Sequence, residues 1–413
     1  MQPLPRYRLY TRLGDYLAIG RDVLLGRRLK GDDCEQLEAA IRKWGAAHAI
    51  CTPQARLAVY LAVKAIVPPG RKVVLSPYTI SDVINMVICA GAVPVFADVE
   101  RETCNIDPAE IEKLVDADTG AVLVTHLHGL ACDMDRIQAI CRERGVPLIE
   151  DSAQSFGTVW KGQRMGTFGD AGIYSFGRYK NVNSFYGGML VSPDAGVAER
   201  VRQEMASWPA HPWAHYLKEV LSGVATDLAT WPALFKSFTY HVFRYGYLHD
   251  VALLNNQVSV DMNPQIKREL PDAYRRRMTP LQARIVLPQL EQLDAHIQAR
   301  VERAAAYDEG LSDVPEVMRP PMRRDGTHMY TYYPIQVEDR TSLLKHLMRE
   351  RRDVAAQHLK NCADEPCFAD YRRDCPRARA TAGAVVLLPT YPRYSMQDVE
   401  RNVASIRRYF GKS

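Results

Sequence analysis

Nothing near the N-terminus looks like a secretory signal. Residues 1–8 carry prolines and arginines but no apolar h-region, so no signal peptide is expected. A disulfide framework is also missing: the nine cysteines are odd in number and follow no framework spacing. They read as reduced thiols, which points to a cytoplasmic setting. The charge balance is only mildly basic, at +5, and the arginines are scattered rather than gathered into a stripe. With no nucleic-acid motif present, a nucleic-acid partner is not expected. Internal repeats and low-complexity tracts are absent too. What remains is an ordinary soluble composition, 47% hydrophobic and 24% charged. At 413 residues, the chain is long enough for two domains, each with its own core.

From residue 72 to 193, short apolar runs alternate with helical patterns. Strands are expected at 72–76, 93–99, 120–126, 146–151, 171–176 and 188–192. Between them, Asp107-Pro-Ala-Glu110 combines an N-cap, a first-turn proline and a capping-box glutamate. A helix from about Met134 to Arg144 should stop at Gly145. Alternation of this kind argues for a mostly parallel sheet covered on both faces.

The densest chemistry lies at residues 148–189. An apolar strand delivers Asp151 at its carboxyl end, the edge where open α/β sheets bind ligands. Gln154 follows three positions later, a second strand ends in Ser175, and Lys180 lies in the loop beyond. Taken singly, a strand-end aspartate is more often a cap and a lysine more often solvated. An acid, an amide, a hydroxyl and a lysine in this order form a constellation that those ordinary fates do not explain.

The stretch resembles the DegT/DnrJ/EryC1/StrS family, fold-type-I sugar aminotransferases that use pyridoxal 5'-phosphate. The motif is carried by Glu150-Asp-Ser-Ala-Gln154, Gly169-Asp-Ala-Gly172 and Ser175-Phe-Gly-Arg-Tyr-Lys-Asn181, with the family's spacing of 29 between Asp151 and Lys180. The likeness extends over roughly residues 26–204 and 273–410. It implies an α/β fold of the aspartate-aminotransferase type: a large domain over 1–265 with a mostly parallel sheet, and a smaller C-terminal α+β domain over 266–413. It further implies that Lys180 bonds to the cofactor and shuttles a proton, and that Asp151 keeps the pyridine nitrogen protonated. Gln154 would meet the ring's O3′ and Ser175 a phosphate oxygen, while His128 and Tyr179 would meet substrate.

Three departures from the family pattern stand out. Its phosphate cup, Ser-Gly-Thr-x-x-Leu, here reads Cys51-Thr-Pro-Gln-Ala-Arg-Leu57. Pro53 removes one amide, although proline suits a first helical position, and the amides of Gln54 and Ala55 remain to bind phosphate. The usual aromatic ring over the cofactor is replaced by Ile80 after Thr79. Where relatives place an asparagine that reaches the phosphate across the dimer, this chain has Arg275. A guanidinium is an apt phosphate partner, and a homodimer with shared active sites follows from the resemblance.

Between about 205 and 270 the sequence shows little family likeness and is rich in aromatics, among them Trp208, Trp213, Trp231, Phe235 and Phe238. Its apolar stretch at 220–235 contains Asp227 and Pro232 and is too short to span a bilayer. One reading is a helical hairpin that braces the dimer or roofs the active site. The other is a peripheral membrane element, with Lys218, Lys236 and Arg244 facing lipid phosphates. His358, Cys362, Cys367 and Cys375 match no standard zinc spacing, so no metal is expected. The expected activity is amino transfer from glutamate to a keto sugar, nucleotide-linked, in polysaccharide, glycolipid or secondary-metabolite biosynthesis. A dehydratase of this family would carry histidine in place of Lys180. A non-catalytic sugar- or partner-binding descendant, and an enzyme acting on a lipid-linked or non-sugar substrate, are the alternatives.

Overall fold

The apolar runs between residues 48 and 192 lie side by side in one seven-stranded sheet. In the computed structural model, which describes residues 2–9, 11, 13–27, 29–251, 263–356 and 358–412, the spatial order is His48–Thr52, Gly188–Ser192, Ala171–Ser175, Leu148–Asp151, Thr119–Thr125, Lys72–Leu75 and Val93–Phe96. Gly188–Ser192 runs antiparallel to both its neighbours, and the remaining pairings are parallel. Continuous burial along the central strands is what a sheet covered on both faces requires. Helices such as Ala55–Ile66 and Ser81–Cys89 supply one cover, with Val59, Val63, Ile84 and Val87 in its core. Pro108–Leu114 and Met134–Arg144 belong to the other, through Ile111 and Ile137.

The local signals behaved as their chemistry demands. Met134–Arg144 ends at Gly145, whose φ of 62° is the left-handed cap that a glycine adopts at little steric cost. Asp107 accepts from the amide of Ala109 and starts Pro108–Leu114. Glu110, expected to close a capping box, turns instead to Lys113 and to Arg373 of the C-terminal region, each at 2.8 Å. A long-range guanidinium outcompetes the local amide.

The smaller domain is a three-stranded antiparallel sheet in the order Tyr332–Gln336, Val385–Pro389, Ala355–Ala356. Helices Leu293–Gly310, Arg340–Arg349 and Met396–Tyr409 pack on it through Tyr307, Leu343, Leu347 and Ile406. Packing crosses the break expected near 265 in both directions. Pro280–Leu290 buries Ala283 and Val286 with Leu37, Phe156 and Tyr174 of the large domain. Leu4, at the other end of the chain, packs on the small-domain core. Lys360–Asn361 leaves the small domain to pair with Tyr78–Thr79.

Much of the aromatic segment is helical, in Trp213–Ala229, Pro232–Leu234, the π-helical turn Phe235–Thr239 and Tyr240–Leu248; residues 252–262 lie outside the described ones. Its first helix lies on the loop beyond Lys180. A Cβ added at Gly223 would stand 2.5 Å from the Phe185 ring, and Arg178 is paired with Glu219. The second half docks on the small domain, where Tyr240 donates to the Met348 carbonyl at 2.6 Å and Phe235 is buried beside it. This arrangement matches a hairpin anchored beside the active site. Leu217, Leu221, Leu228, Trp231 and Phe238 nevertheless remain exposed on its outer side. Among the described residues no helix is long and apolar enough to cross a membrane.

Candidate active site

Strand Leu148–Asp151 ends with the Asp151 carboxylate buried at the carboxyl edge of the sheet. Its Oδ1 accepts from the amide of Ala153 at 3.0 Å. After strand Ala171–Ser175 the chain turns, with the Lys180 amide bonded to the Gly177 carbonyl at 3.0 Å. That turn brings the Lys180 ammonium toward Asp151. Burial pushes the Asp151 carboxyl above its ordinary value and the Lys180 amine below its own, while their mutual attraction opposes both shifts. The acid and the lysine therefore share a site.

Gln154 is held through both its side chain and its backbone. Its Oε1 accepts from the His128 amide at 2.9 Å, and its carbonyl accepts from the Thr331 hydroxyl at 2.6 Å. With the oxygen so occupied, the amide nitrogen of the side chain is left to donate elsewhere. His128 adopts φ 58°, an uncommon conformation for a residue with a Cβ. Its ring is fully buried, and burial with His358 nearby pushes its pKa down to about 3. The backbone amide of His128 thus orients the Gln154 side chain.

An anion cradle lies two strands away. Register sets Thr52 opposite Gly188, and Gly188 opposite Ser175. Helix Ala55–Ile66 starts directly above, with Gln54 as its N-cap. Pro53 therefore precedes the cap and is not the first helical residue, as the sequence suggested, because the chain stays extended through Gln54 at φ −160° and ψ 157°. The amides opening this helix have no carbonyl one turn earlier to bond, so they can bind an anion. A Cβ on Gly188 would meet the Ala55 nitrogen at 2.6 Å and the Thr52 hydroxyl at 2.9 Å. The cradle is thus a space that any side chain at 188 would fill. A buried acid, a lysine and an anion cradle along one sheet edge form a donor set that fits pyridoxal phosphate.

The other expected residues are dispersed. Ile80 is half-buried and caps helix Ser81–Cys89, next to the Tyr78–Thr79 pairing. Tyr179 is 53% exposed and stacks edge-on against Tyr7, with centroids 4.9 Å apart. Arg275 is not brought to its own chain's cradle. It is paired with Asp272 at 3.0 Å, in a surface groove of about 490 Å³ that also includes Glu204 and Trp208. Of the cysteines considered for zinc, Cys362 donates to the Thr79 carbonyl, Cys375 is buried at the start of Pro376–Ala384, and Cys367 is half-buried.

Sequence reasoning gave no place at this site to three residues. His358 acts electrostatically on His128 and is itself held below its ordinary pKa by burial and by Lys180, so it stands at the same site. Tyr7 and Arg8 line a cavity shared with Lys180. No local motif marks any of them, since Tyr7 and Arg8 arrive from the N-terminal segment and His358 from the link between Ala355–Ala356 and Lys360–Asn361.

Comparison with known proteins agrees with this geometry. Over 390 residues, covering 92% of this chain and 90% of the other, the sequence is 30% identical to the spore coat polysaccharide biosynthesis protein SpsC of Bacillus subtilis. It is 26% identical over 374 residues to a GDP-perosamine synthase of Caulobacter vibrioides, covering 88% and 85% of the two chains. The fold matches the crystal structure of the sugar aminotransferase CalS13 from Micromonospora echinospora, with TM-score 0.76 at 21% identity, covering 99% of this chain and all of that one. The family match spans residues 22–234 and 243–407. It therefore takes in much of the aromatic segment, which the sequence reading had set apart, and breaks only around its π-helical turn. The chain belongs to the DegT/DnrJ/EryC1/StrS aminotransferase family and is a pyridoxal-phosphate-dependent aminotransferase.

Proposed function

We propose that this enzyme moves an amino group from glutamate to the keto group of a nucleotide-linked sugar during glycan biosynthesis. The observation that carries the reading is the placement of Asp151, Lys180 and the Thr52–Gly188–Ser175 cradle on one sheet edge. Relatives named for perosamine and spore-coat polysaccharide synthesis support the sugar.

Pyridoxal phosphate, when bound, supplies an electron sink for bonds at the amino-bearing carbon. Asp151 would hold the ring nitrogen's proton, which its burial next to a cation suits. Lys180 would bond to the cofactor and, released as an amine, carry the proton to and from the substrate carbon. Its lowered pKa keeps more of that amine in the unprotonated form a base needs. Ser175, Thr52 and the amides of Gln54 and Ala55 would hold the phosphate, Gln154 the ring oxygen, and Ile80 would cover the ring face. Tyr179, and His128 mainly through its hold on Gln154, would border the substrate. A homodimer in which Arg275 reaches the partner's phosphate completes the scheme.

The test is the visible spectrum of the purified protein. It should be yellow, lose its long-wave band on addition of glutamate, and regain it with a nucleotide-linked keto sugar. A spectrum indifferent to glutamate would remove the donor, and one restored equally by a free keto sugar would remove the nucleotide.

A second reading concerns where the acceptor is held. Leu217, Leu221, Leu228, Trp231 and Phe238 stay exposed on one hairpin, and Leu13, Leu17 and Leu24 on the neighbouring helix Leu13–Leu24. Rows of this kind support peripheral contact with an anionic membrane and a lipid-linked acceptor.

A further inference from the structure

Residues 5–9 form a strap from the N-terminus across the mouth of the Lys180 site. It is fastened at both ends to the small domain. Tyr391 donates to the Pro5 carbonyl at 2.8 Å, Arg6 pairs with Asp353 through Nε at 2.8 Å, and Arg393 donates to the Leu9 carbonyl at 3.3 Å. Between these fastenings Tyr7 rests on Tyr179 and Arg8 faces inward. The cavity they close over Lys180, shared with Arg178 and Arg300, measures about 20 Å³. That is room for a water and not for a substrate, and parting the strap from Tyr179 would widen it.

The cations around this cavity are not equally provided for. Arg178 is paired with Glu219, Arg300 donates to the Thr331 carbonyl and the Thr390 hydroxyl, and Lys180 has Asp151. The Nε of Arg8 is buried with no hydrogen-bond partner among the described residues, as are those of Arg178 and Arg300, but those two have their other nitrogens engaged. The charged groups acting on Arg8 are Arg393, which repels it, and Asp227, whose Oδ2 already accepts from Tyr16 at 2.7 Å. A half-buried guanidinium next to a second one is costly unless an anion joins them.

We propose that Arg8 is a specificity-determining residue that binds the anionic group of the substrate, a phosphoryl group or a carboxylate, once the strap has parted. Arg8 then recognises substrate from a segment that also shuts the site. The inference rests on the proposed function for its list of substrates, namely glutamate and a nucleotide-linked sugar. A guanidinium can take either anion through paired N–H donors.

The experiment compares wild type, Arg8→Ala and Arg8→Lys as holoenzymes of equal cofactor content and equal circular dichroism. The rate of the glutamate half-reaction is followed spectrally, with and without inorganic pyrophosphate, and pyrophosphate binding is measured by calorimetry. If the anion is phosphoryl, pyrophosphate binding and inhibition weaken roughly 10- to 100-fold in Arg8→Ala, and half-saturation by glutamate stays put. If it is the donor's distal carboxylate, half-saturation by glutamate rises by that factor at constant maximal rate, and half-saturation by alanine does not. Arg8→Lys recovers part of either loss. Arg8→Ala indistinguishable from wild type in both arms overturns the inference. A wild type that ignores pyrophosphate and accepts free keto sugars defeats the nucleotide-linked acceptor instead, and the glutamate arm alone then decides Arg8.

Discussion

Gly188 approaches the first turn of helix Ala55–Ile66 so closely that a Cβ on it would stand 2.6 Å from the nitrogen of Ala55. The contact binds the cradle's floor to its wall, and neither neighbour is a flexible tip that can swing away. Gly188→Ala should fold, because the surrounding strand pairs through backbone, yet lose cofactor affinity at least about tenfold as the helix start is pushed aside. Cofactor titration against circular dichroism checks this. Unchanged affinity would mean that the phosphate sits elsewhere.

Asp151→Asn keeps the shape of the site and removes its negative charge. It should retain the cofactor and slow the glutamate half-reaction by orders of magnitude, since an amide cannot hold a charged ring as a carboxylate does. Lys180→Ala should abolish covalent capture of the cofactor by borohydride. A labelled peptide at Lys161 would transfer the role to that residue.

Arg275 makes its only described ion pair with Asp272, at the surface. If it serves a second copy, Arg275→Ala should weaken cofactor retention. Mixing it with Lys180→Ala should restore one intact site per hybrid dimer. An active monomer in sedimentation would dispose of the arrangement.

Three buried histidines set an acid limit on stability. Burial pushes His128 and His211 down to about 3 and His328 to about 4, against about 6.5 when unfolded. Below pH 6.5 the unfolded chain takes up protons that the folded chain refuses, so stability falls with pH until the folded values are reached. Each histidine contributes up to about 1.4 kcal/mol per pH unit in that window. Urea midpoints should be level above pH 7 and decline steadily from 6.5 to 4.5. A level midpoint throughout would show that the three rings are solvated.

Trp231 and Phe238 lie on the outer side of the hairpin, whereas Phe235 is buried against Tyr240. Replacing the first two by serine should release the enzyme from anionic vesicles in a flotation gradient without altering its glutamate half-reaction. Wild type that fails to float at low salt retires membrane contact.

How far the sequence alone could reach is clear from particular residues. The placing of Asp151 and Lys180 near each other is legible because short apolar strands fix where each segment leaves the sheet, and Asp107 and Gly145 are legible because caps are local chemistry. Glu110 was misjudged since Arg373, more than 260 positions away, offers it a better partner than the local amide. The position of Pro53 depended on how long the chain stays extended after strand His48–Thr52. Arg8 and His358 reach Lys180 only through the packing of the small domain, which no window of sequence contains.

The wide turn at Phe235–Thr239 has a consequence for how this hairpin can vary. Five residues of regular α-helix rotate a side chain about 140° away from its starting direction. Yet Phe235 and Tyr240 sit together on Met348, their rings 5.9 Å apart. The looser winding absorbs the difference and brings both rings to the same side. Removing a single residue here would let the turn wind as regular α-helix and, with the rings then four positions apart and only about 40° out of line, keep Tyr240 facing the small domain. A deletion of that size would be absorbed as a change of winding, leaving the loop beyond Lys180 coupled to the domain that fastens the strap, whereas one in the regular helix on either side would act as a rotation.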